Sequence, residues 1–377
     1  MTPRQTTPQQ RQTEVGEHHG DKLTVPVSLV EAQLRDVLSA WGMPAEHSEI
    51  TTRIMLATDL RGIDSHGIGL LPLYDELRMA GKLTMAPKVE VLRETPVTAL
   101  LDAGGGLGHS PSERAMRLAI EKCRSSGLAA VAVRNSNHFG AAGIYALMAA
   151  EAGLIGLATS NVWNAAVVPT RGREPMFGTN PLAFAAPAGR NPPFCLDMAT
   201  STVAIGKLRL AWHDGRGLPD GWALDEQGLS TRDAAVALAS RLLTPLGSRS
   251  ELSSHKGYGL AAMVEVLSAM LSGGSFAVLR DPDADRMNVG HFFLALDPAA
   301  FRDRGAFEAD MDAMIDRLRA SRSVDPALPV LVPGDPEVAA EREREVAGIP
   351  ISRKLAAMIR DVAERCGSRY LLETPAG

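Results

Sequence analysis

The spacing of strand-like runs limits this chain's fold more than any other feature. Apolar segments at Leu128–Val133, Leu154–Ala158, Leu182–Ala186, Phe194–Met198 and Phe292–Leu296 read as strands, several separated by only short turns. A parallel neighbour needs a crossover of roughly a dozen residues or more, usually a helix, whereas an antiparallel one needs only a turn. The spacing therefore predicts a mixed but largely antiparallel sheet. Helical patterns after Ser110 and at Ala141–Ala152 fall between strands, so the fold class is α/β in the α+β sense.

A glycine run tests the main alternative. Leu101-Asp-Ala-Gly-Gly-Gly-Leu-Gly-His109 follows a strand at Val97–Leu101 and precedes a helix, the place of a dinucleotide-binding turn. It fails GxGxxG, because His109 stands where the third glycine belongs, and no acidic residue closes a second strand about 20 residues on. The run reads as a tight turn and the domain as not Rossmann. No Walker A loop occurs either.

The first hundred residues have helical periodicity instead. Ser28-Leu29-Val30-Glu31 reads as a capping box, followed by Val30, Leu34, Val37, Leu38 and Trp41 on one face. Further helices are expected at Ala45–Leu60 and Leu71–Ala80, the latter stopped by Gly81. Ser110-Pro111-Ser112-Glu113 is a second capping box, with the helix ending at Gly127. Gly259–Leu271, striped by Leu260, Val264, Leu267 and Leu271, and Ile351–Cys366 complete the helical set. The expected organisation is a disordered tail over 1–22 and a helical subdomain over 23–95, joined by about 255–275 and 340–377. An α/β cofactor-binding domain takes 96–254 and 276–339.

Composition narrows the function. With 377 residues, 45% of them hydrophobic and 22% charged, the chain can bury a sizeable core. A net charge of -5 without a long basic run disfavours nucleic acid as a partner. The polar start has no apolar signal segment, and no stretch of about 18 uncharged apolar residues suits a membrane. Cys123, Cys195 and Cys366 lie far apart, which points to a reducing cytoplasm rather than a disulfide framework or a cysteine-rich zinc site.

Two histidines draw attention as chemistry-bearing groups. His66 follows Ser65 at a helix junction, and His138 sits in Asn135-Ser-Asn-His-Phe-Gly140 just past a strand, where loops display catalytic groups. Imidazole titrates near neutral pH, and no third ligand stands at a zinc-site spacing, so acid–base work is favoured over metal binding. Asp197 ends a strand, where a carboxylate can orient an imidazole, hold a ribose hydroxyl or cap the next turn. Gly178-Thr179-Asn180-Pro181 is a turn of small hydrogen-bonding residues. Lys256-Gly257 opens a helix, a ready anion site suited to a dinucleotide phosphate.

Together these motifs resemble the malate/L-lactate dehydrogenase family of NAD(P)-dependent 2-hydroxyacid oxidoreductases, which lack a Rossmann fold. The residues that carry the likeness are Arg61-Gly-x-Asp-Ser-His-Gly67, Asn137-His-Phe-Gly140, Gly178-Thr-Asn-Pro-Leu-Ala183, Asp197-Met-Ala-Thr200, Leu218-Pro-x-Gly-Trp-Ala-x-Asp225, His255-Lys-Gly-Tyr-Gly-Leu260 and Pro333-Gly-Asp335. Relatives include ureidoglycolate, sulfolactate and diketogulonate dehydrogenases and reductases of cyclic imino acids. The resemblance implies a homodimer with its active site between a helical subdomain and the sheet domain, an NAD or NADP cofactor, and a small 2-hydroxy or 2-oxo acid substrate. It also implies roles: His66, beside Ser65, as proton donor, with His138 as the alternative. Asp197, Met198, Ala199 and Lys256 would contact the dinucleotide, and Tyr74 the substrate.

The chain departs from that pattern where relatives bind the substrate carboxylate. Leu70 stands in place of the usual arginine of SHGxxR, Leu73 at a second commonly basic place, His109 at a usual glutamine and Ile205 at a frequent arginine. The expectation is hydride transfer on a non-standard, more apolar acid, with Arg171 or Arg173 as candidate substitutes for the missing cation. The alternatives are an NAD(P)H-dependent reductase of a cyclic imine or diketo acid, or a non-catalytic dinucleotide-binding paralogue.

Overall fold

The computed structural model describes residues 22–373 apart from 214, 282, 283 and 285. The expected disordered tail therefore lies outside the described residues, except Lys22, which opens the first strand. The helical subdomain contains α1 (Val27–Ala40), α2 (Ala45–Leu60) and α3 (Leu71–Met79), with α10 (Asp335–Ala347) and α11 (Arg353–Cys366) from the other end of the chain. A two-stranded antiparallel ribbon, β1 (Lys22–Val25) with β12 (Ile349–Ser352), ties the two ends together in the register Leu23↔Ile351. Val30, Leu34, Val37 and Leu38 of α1 are buried against Ile359 and Val362 of α11 and Tyr74 of α3 in one apolar core. The capping box expected at Ser28 does not form. The N-cap is Pro26, two residues earlier, and Glu31 pairs with Arg35 one turn on.

The second unit is a seven-stranded sheet. Its strands are β2 (Glu90–Glu94), β3 (Thr98–Asp102), β4 (Leu128–Ser136), β5 (Ile155–Ser160), β6 (Leu182–Ala186), β7 (Phe194–Met198) and β11 (Val289–Leu296), in the order β2-β3-β4-β11-β5-β6-β7. Only β3 and β4 run parallel, joined by α4 (His109–Ser126). The other five pairs are antiparallel. α4 ends where Gly127 adopts φ 78°, a left-handed cap that glycine takes without a Cβ penalty. Its capping box is also absent: the N-cap is Gly108, and Glu113 pairs instead with Arg53 and Arg117. α5 (Ala142–Glu151) joins α4 on the same sheet face, where Leu101, Met116, Val131, Tyr145 and Phe293 share a core. α9 (Ala306–Arg319) is held at the β6–β7 turn by Asp312, which accepts the backbone N–H groups of Arg190 and Asn191.

The glycine run is a filled turn. Asp102 Oδ1 accepts the Gly104 N–H at 2.9 Å, and a Cβ on Gly106 would collide with Pro87. The sheet beside it has a single parallel pair, β3 with β4, where a Rossmann domain has a run of parallel strands.

The segment expected to join the helical subdomain over 255–275 lies elsewhere. α8 (Ser254–Glu265) and the π-turn that continues it over Val266–Met270 pack on the opposite sheet face, against β11, β4 and β5. The expected stripe faces inward only in part: Val264 is buried, Leu260 and Leu267 are half-buried and Leu271 is exposed, while Ala261, Ser268 and Ala269 are buried beside it. A third small unit carries α6 (Ile205–His213), α7 (Ala234–Ser240) and the short strands β8 (Ala223–Leu224), β9 (Ser230–Thr231) and β10 (Leu242–Leu243), packed around Val167, Leu208 and Leu243. Among the described residues no helix is long and apolar enough to cross a membrane.

Candidate active site

A cleft of about 360 Å³ lies where the two larger units meet. Ile63 and His66 reach it from the turn after α2, His138 to Ala142 from the loop after β4, and Ser160 to Trp163 from the end of β5. Thr179 and Pro181, Asp197 to Ala199, Val289 and Glu337 complete most of the lining.

His138 is held by an inner layer of aromatic residues. β11, inserted between β4 and β5, carries His291 into the core, where its Nδ1 and Nε2 each lie 2.8 Å from a serine hydroxyl, Ser160 on one side and Ser136 on the other. Phe139 stacks on that ring at 4.6 Å and 3°, and its carbonyl accepts the Tyr145 O–H. The adjacent His138 is thus fixed by both neighbours. Its Nδ1 lies 2.8 Å from the Tyr74 hydroxyl and 3.2 Å from the Gly140 nitrogen. A backbone N–H can only donate, so Nδ1 accepts and the neutral ring carries its proton on Nε2.

The His66 and His138 rings are 5.4 Å apart. Ser65 Oγ lies 2.7 Å from His66 Nδ1. Burial lowers the pKa of His66 below the ordinary histidine value. It lowers His138 well below that value, helped by His66, His109 and His291 nearby. Both rings are neutral at neutral pH.

His109, the first residue of α4, is fully enclosed, edge-on to Tyr74 at 5.9 Å. Among the described residues neither of its ring nitrogens has a hydrogen-bond partner, and burial pushes its pKa down to about 3.

Asp197, near the end of β7, accepts the Gly143 N–H on Oδ2 at 2.7 Å rather than bonding to either imidazole. It caps the first turn of α5, a helix fifty residues earlier in the chain, and a Cβ on Gly143 would crowd it. Crowding by protein raises its carboxyl to about 6, and Glu337 adds to that rise.

The remaining expected residues divide. Thr179, Met198 and Ala199 line the cleft. Asn180 is buried outside the lining, and its Nδ2 donates to the Ala261 carbonyl and Glu265 of α8, so it ties the turn to that helix. Gly257 packs against the Leu246 backbone with no space for a Cβ. Lys256 is exposed in the first turn of α8, outside the lining. Tyr74 is buried behind His138, so it reaches the cleft only through that ring. Leu70 and Leu73 are half-buried against the helical-subdomain core, as is Trp163, and only the tryptophan lines the cleft. Arg171 and Arg173 are exposed and outside the lining.

Sequence reasoning missed Trp163 and Glu337. The Pro333-Gly-Asp335 motif, which ends two residues before Glu337, was the available signal for the latter. No lysine or arginine appears among the described lining residues. Nor do the described residues contain three or more His, Cys, Asp or Glu side chains grouped to hold a metal ion.

Fold and cleft together define a non-Rossmann α/β protein with paired imidazoles and a carboxylate-tipped strand in one site. The malate/L-lactate dehydrogenase family model matches residues 25–360, and the chain belongs to that family. It is 40% identical over 337 residues to a malate dehydrogenase of Pyrococcus abyssi, covering 89% of this chain and 92% of the relative. Identity to an L-sulfolactate dehydrogenase of Methanothermobacter thermautotrophicus is 37% over 333 residues, 88% and 93% of the two chains. The solved malate dehydrogenase of Pyrococcus horikoshii OT3 superposes with a TM-score of 0.86 at 37% identity, covering 95% of this chain and 99% of that one.

Proposed function

We propose that this chain is an NAD(P)-dependent oxidoreductase that interconverts a 2-hydroxy acid and a 2-oxo acid. The observation that carries the reading is the pair of neutral imidazoles 5.4 Å apart in a cleft of a chain of this family. His66 moves the proton of the substrate hydroxyl, and the Nε2–H of His138 holds the substrate oxygen. Ser65 orients the His66 ring, and Tyr74 that of His138.

A nicotinamide dinucleotide supplies the hydride donor or acceptor. The lining fits its nicotinamide-riboside half: Ala141, Ala142, Pro181 and Ala199 offer apolar surface, while Asp197 and Thr179 offer partners for hydroxyls. Without a cation in the lining, the diphosphate belongs outside the enclosed part, and Lys256 is its proposed contact.

The substrate we favour is a mono-acid with an apolar group. The relatives named above act on malate and sulfolactate, each with a second anionic group, yet here Leu70 replaces the clamp arginine of the family pattern. Arg61, beside Asp197, is paired with Glu341 at 2.9 Å. The described lining offers Ile63, Val162 and Trp163 but no lysine or arginine, so a second anionic group there has no charge-assisted partner, whereas apolar surface buried there gains roughly 25 cal/mol per Å². NAD(P)H oxidation should be faster with phenylpyruvate-like acids than with oxaloacetate, and the reverse order would sink the assignment.

The free cysteines fit a reducing cytoplasm. A homodimer is inferred from the sheet face beside β2 and β3, where Leu92, Met270 and Leu271 stand exposed around a groove. Sedimentation velocity should show a species of twice the chain mass.

A further inference from the structure

The turn that carries His66 rests on a buried acid that the proposed chemistry does not use. Asp59, in the last turn of α2, is 2% exposed. Its Oδ2 accepts the Ile68 N–H at 2.7 Å. The Gly67 backbone lies directly on the carboxyl group, so closely that a Cβ there would overlap it. His66 is the residue immediately before this contact, and its own N–H donates to the Ile63 carbonyl at 2.9 Å. From α10, Arg344 donates both to the Asp59 carbonyl and to the Asp64 carboxylate, closing the turn from the opposite side.

We propose that Asp59 is a positioning residue, its carboxyl seated under the Gly67–Ile68 backbone and setting where the His66 ring stands in the cleft. The inference rests on His66 being the proton-moving group. The charged groups that face Asp59 are Asp64 on the turn, which disfavours its ionisation, and Arg344 on α10, which favours it. Burial outweighs both Arg344 and the Ile68 hydrogen bond and raises the carboxyl to about 8. At neutral pH the seat is therefore uncharged. Ionisation above about 8 places a charge in a dry site beneath the turn, and the His66 ring senses it.

Asp59→Asn keeps the shape and the acceptor for the Ile68 N–H but cannot ionise. In wild type, the His66 ring resonances, assigned by their loss in His66→Asn, should show a step near pH 8 in NMR titration, and Asp59→Asn should lack it. In turnover, Asp59→Leu should lower kcat on the order of tenfold or more, as expected of a misplaced group, with cofactor Kd little changed. Asp59→Asn should rescue kcat at pH 7 and abolish the alkaline inflection. A wild-type titration without the step overturns the proposal by itself, even if neither variant folds, and so does a step that survives in Asp59→Asn. Turnover without the step leaves the functional reading standing and removes this one. The step without turnover on any acid does the opposite.

Discussion

Two groups of titratable side chains share the cleft, and they differ in what burial does to them. The imidazole group, His66 and His138 with His109 and His291 behind, is built by the turn after α2 and the loop after β4 and stacked against a central strand. The carboxylate group, Asp197 and Glu337, comes from β7 and from α10. Burial disfavours whichever form is charged, so it pulls the histidines down and Asp197 up. The imidazoles end fully neutral at neutral pH, whereas Asp197, at about 6, remains mostly ionised. The lesson is that desolvation, not charge pairing, sets the protonation states here. The imidazole side of the site is neutral, and the carboxylate side keeps its charge.

The largest expected effect separates the two histidines within the first group. His66→Asn should lower kcat by about 10²–10⁴-fold, the usual loss for an acid–base group, with cofactor Kd nearly unchanged. It should also flatten the pH profile. His138→Gln should lower kcat/KM yet keep the profile's shape, because its neutral Nε2–H holds the substrate oxygen without titrating. Because His66 titrates below the ordinary value, hydroxy-acid oxidation should persist to pH values below 6.5, where an unperturbed histidine base would already be protonated. Full kcat in both variants would end the acid–base assignment.

A smaller effect tests the carboxylate group. Asp197→Ala should weaken cofactor binding by about 1–3 kcal/mol, as for a lost charge-assisted hydrogen bond, and lower Tm because the Gly143 N–H loses its acceptor. Lys256→Ala should weaken binding by a similar ~1–3 kcal/mol without touching Tm, since that side chain is exposed. Nicotinamide fluorescence titration and differential scanning calorimetry read both. Equal Tm losses would mean that the comparison between an anchored and a free contact is wrong.

The smallest effect is on stability against pH. The folded-state values of His109 and His291 lie near 3, below their unfolded value of about 6.5. The unfolded chain therefore binds protons first, and this contribution to stability is lost as pH falls below about 6.5. The raised acids act with the opposite sign: Asp197 and Asp59 cost stability as pH rises from the ordinary carboxylate range through about 6 and about 8. Tm should therefore be flatter between pH 5 and 7 than either group alone would give. Asp59→Asn should raise Tm relative to wild type increasingly toward pH 8.

Several elements were legible in the residues because their causes are local. The stop at Gly127, the strands at Leu182–Ala186 and Phe194–Met198, and the turn nature of Gly104–Gly106 follow from glycine conformation and short spacing. His66 and His138 were legible too, through loop position and family likeness, and the cleft brings both together. The two capping boxes failed because Glu31 and Glu113 each found an arginine instead of the helix N-terminus. Asn180 read as a ligand contact, and the structure adds that its amide nitrogen is held by Glu265, eighty-five residues away.

The sequence by itself determined the class of sheet, the rejected glycine loop, the two helical ends and the two histidines that meet in the cleft. All depend on periodicity, turn chemistry or motif within a few residues. Tertiary structure decided what surrounds those residues. β11 enters between β4 and β5 with Phe293 level with Val131 and Ala158, and only that insertion places His291 behind Phe139 and so fixes His138. Likewise α10, nearly three hundred residues after α2, brings Glu337 into the cleft and Arg344 onto the His66 turn. No local signal encodes these pairings, because strand order and helix docking come from the burial of distant apolar faces against one another. The desolvation that neutralises the histidines exists only once those faces have closed.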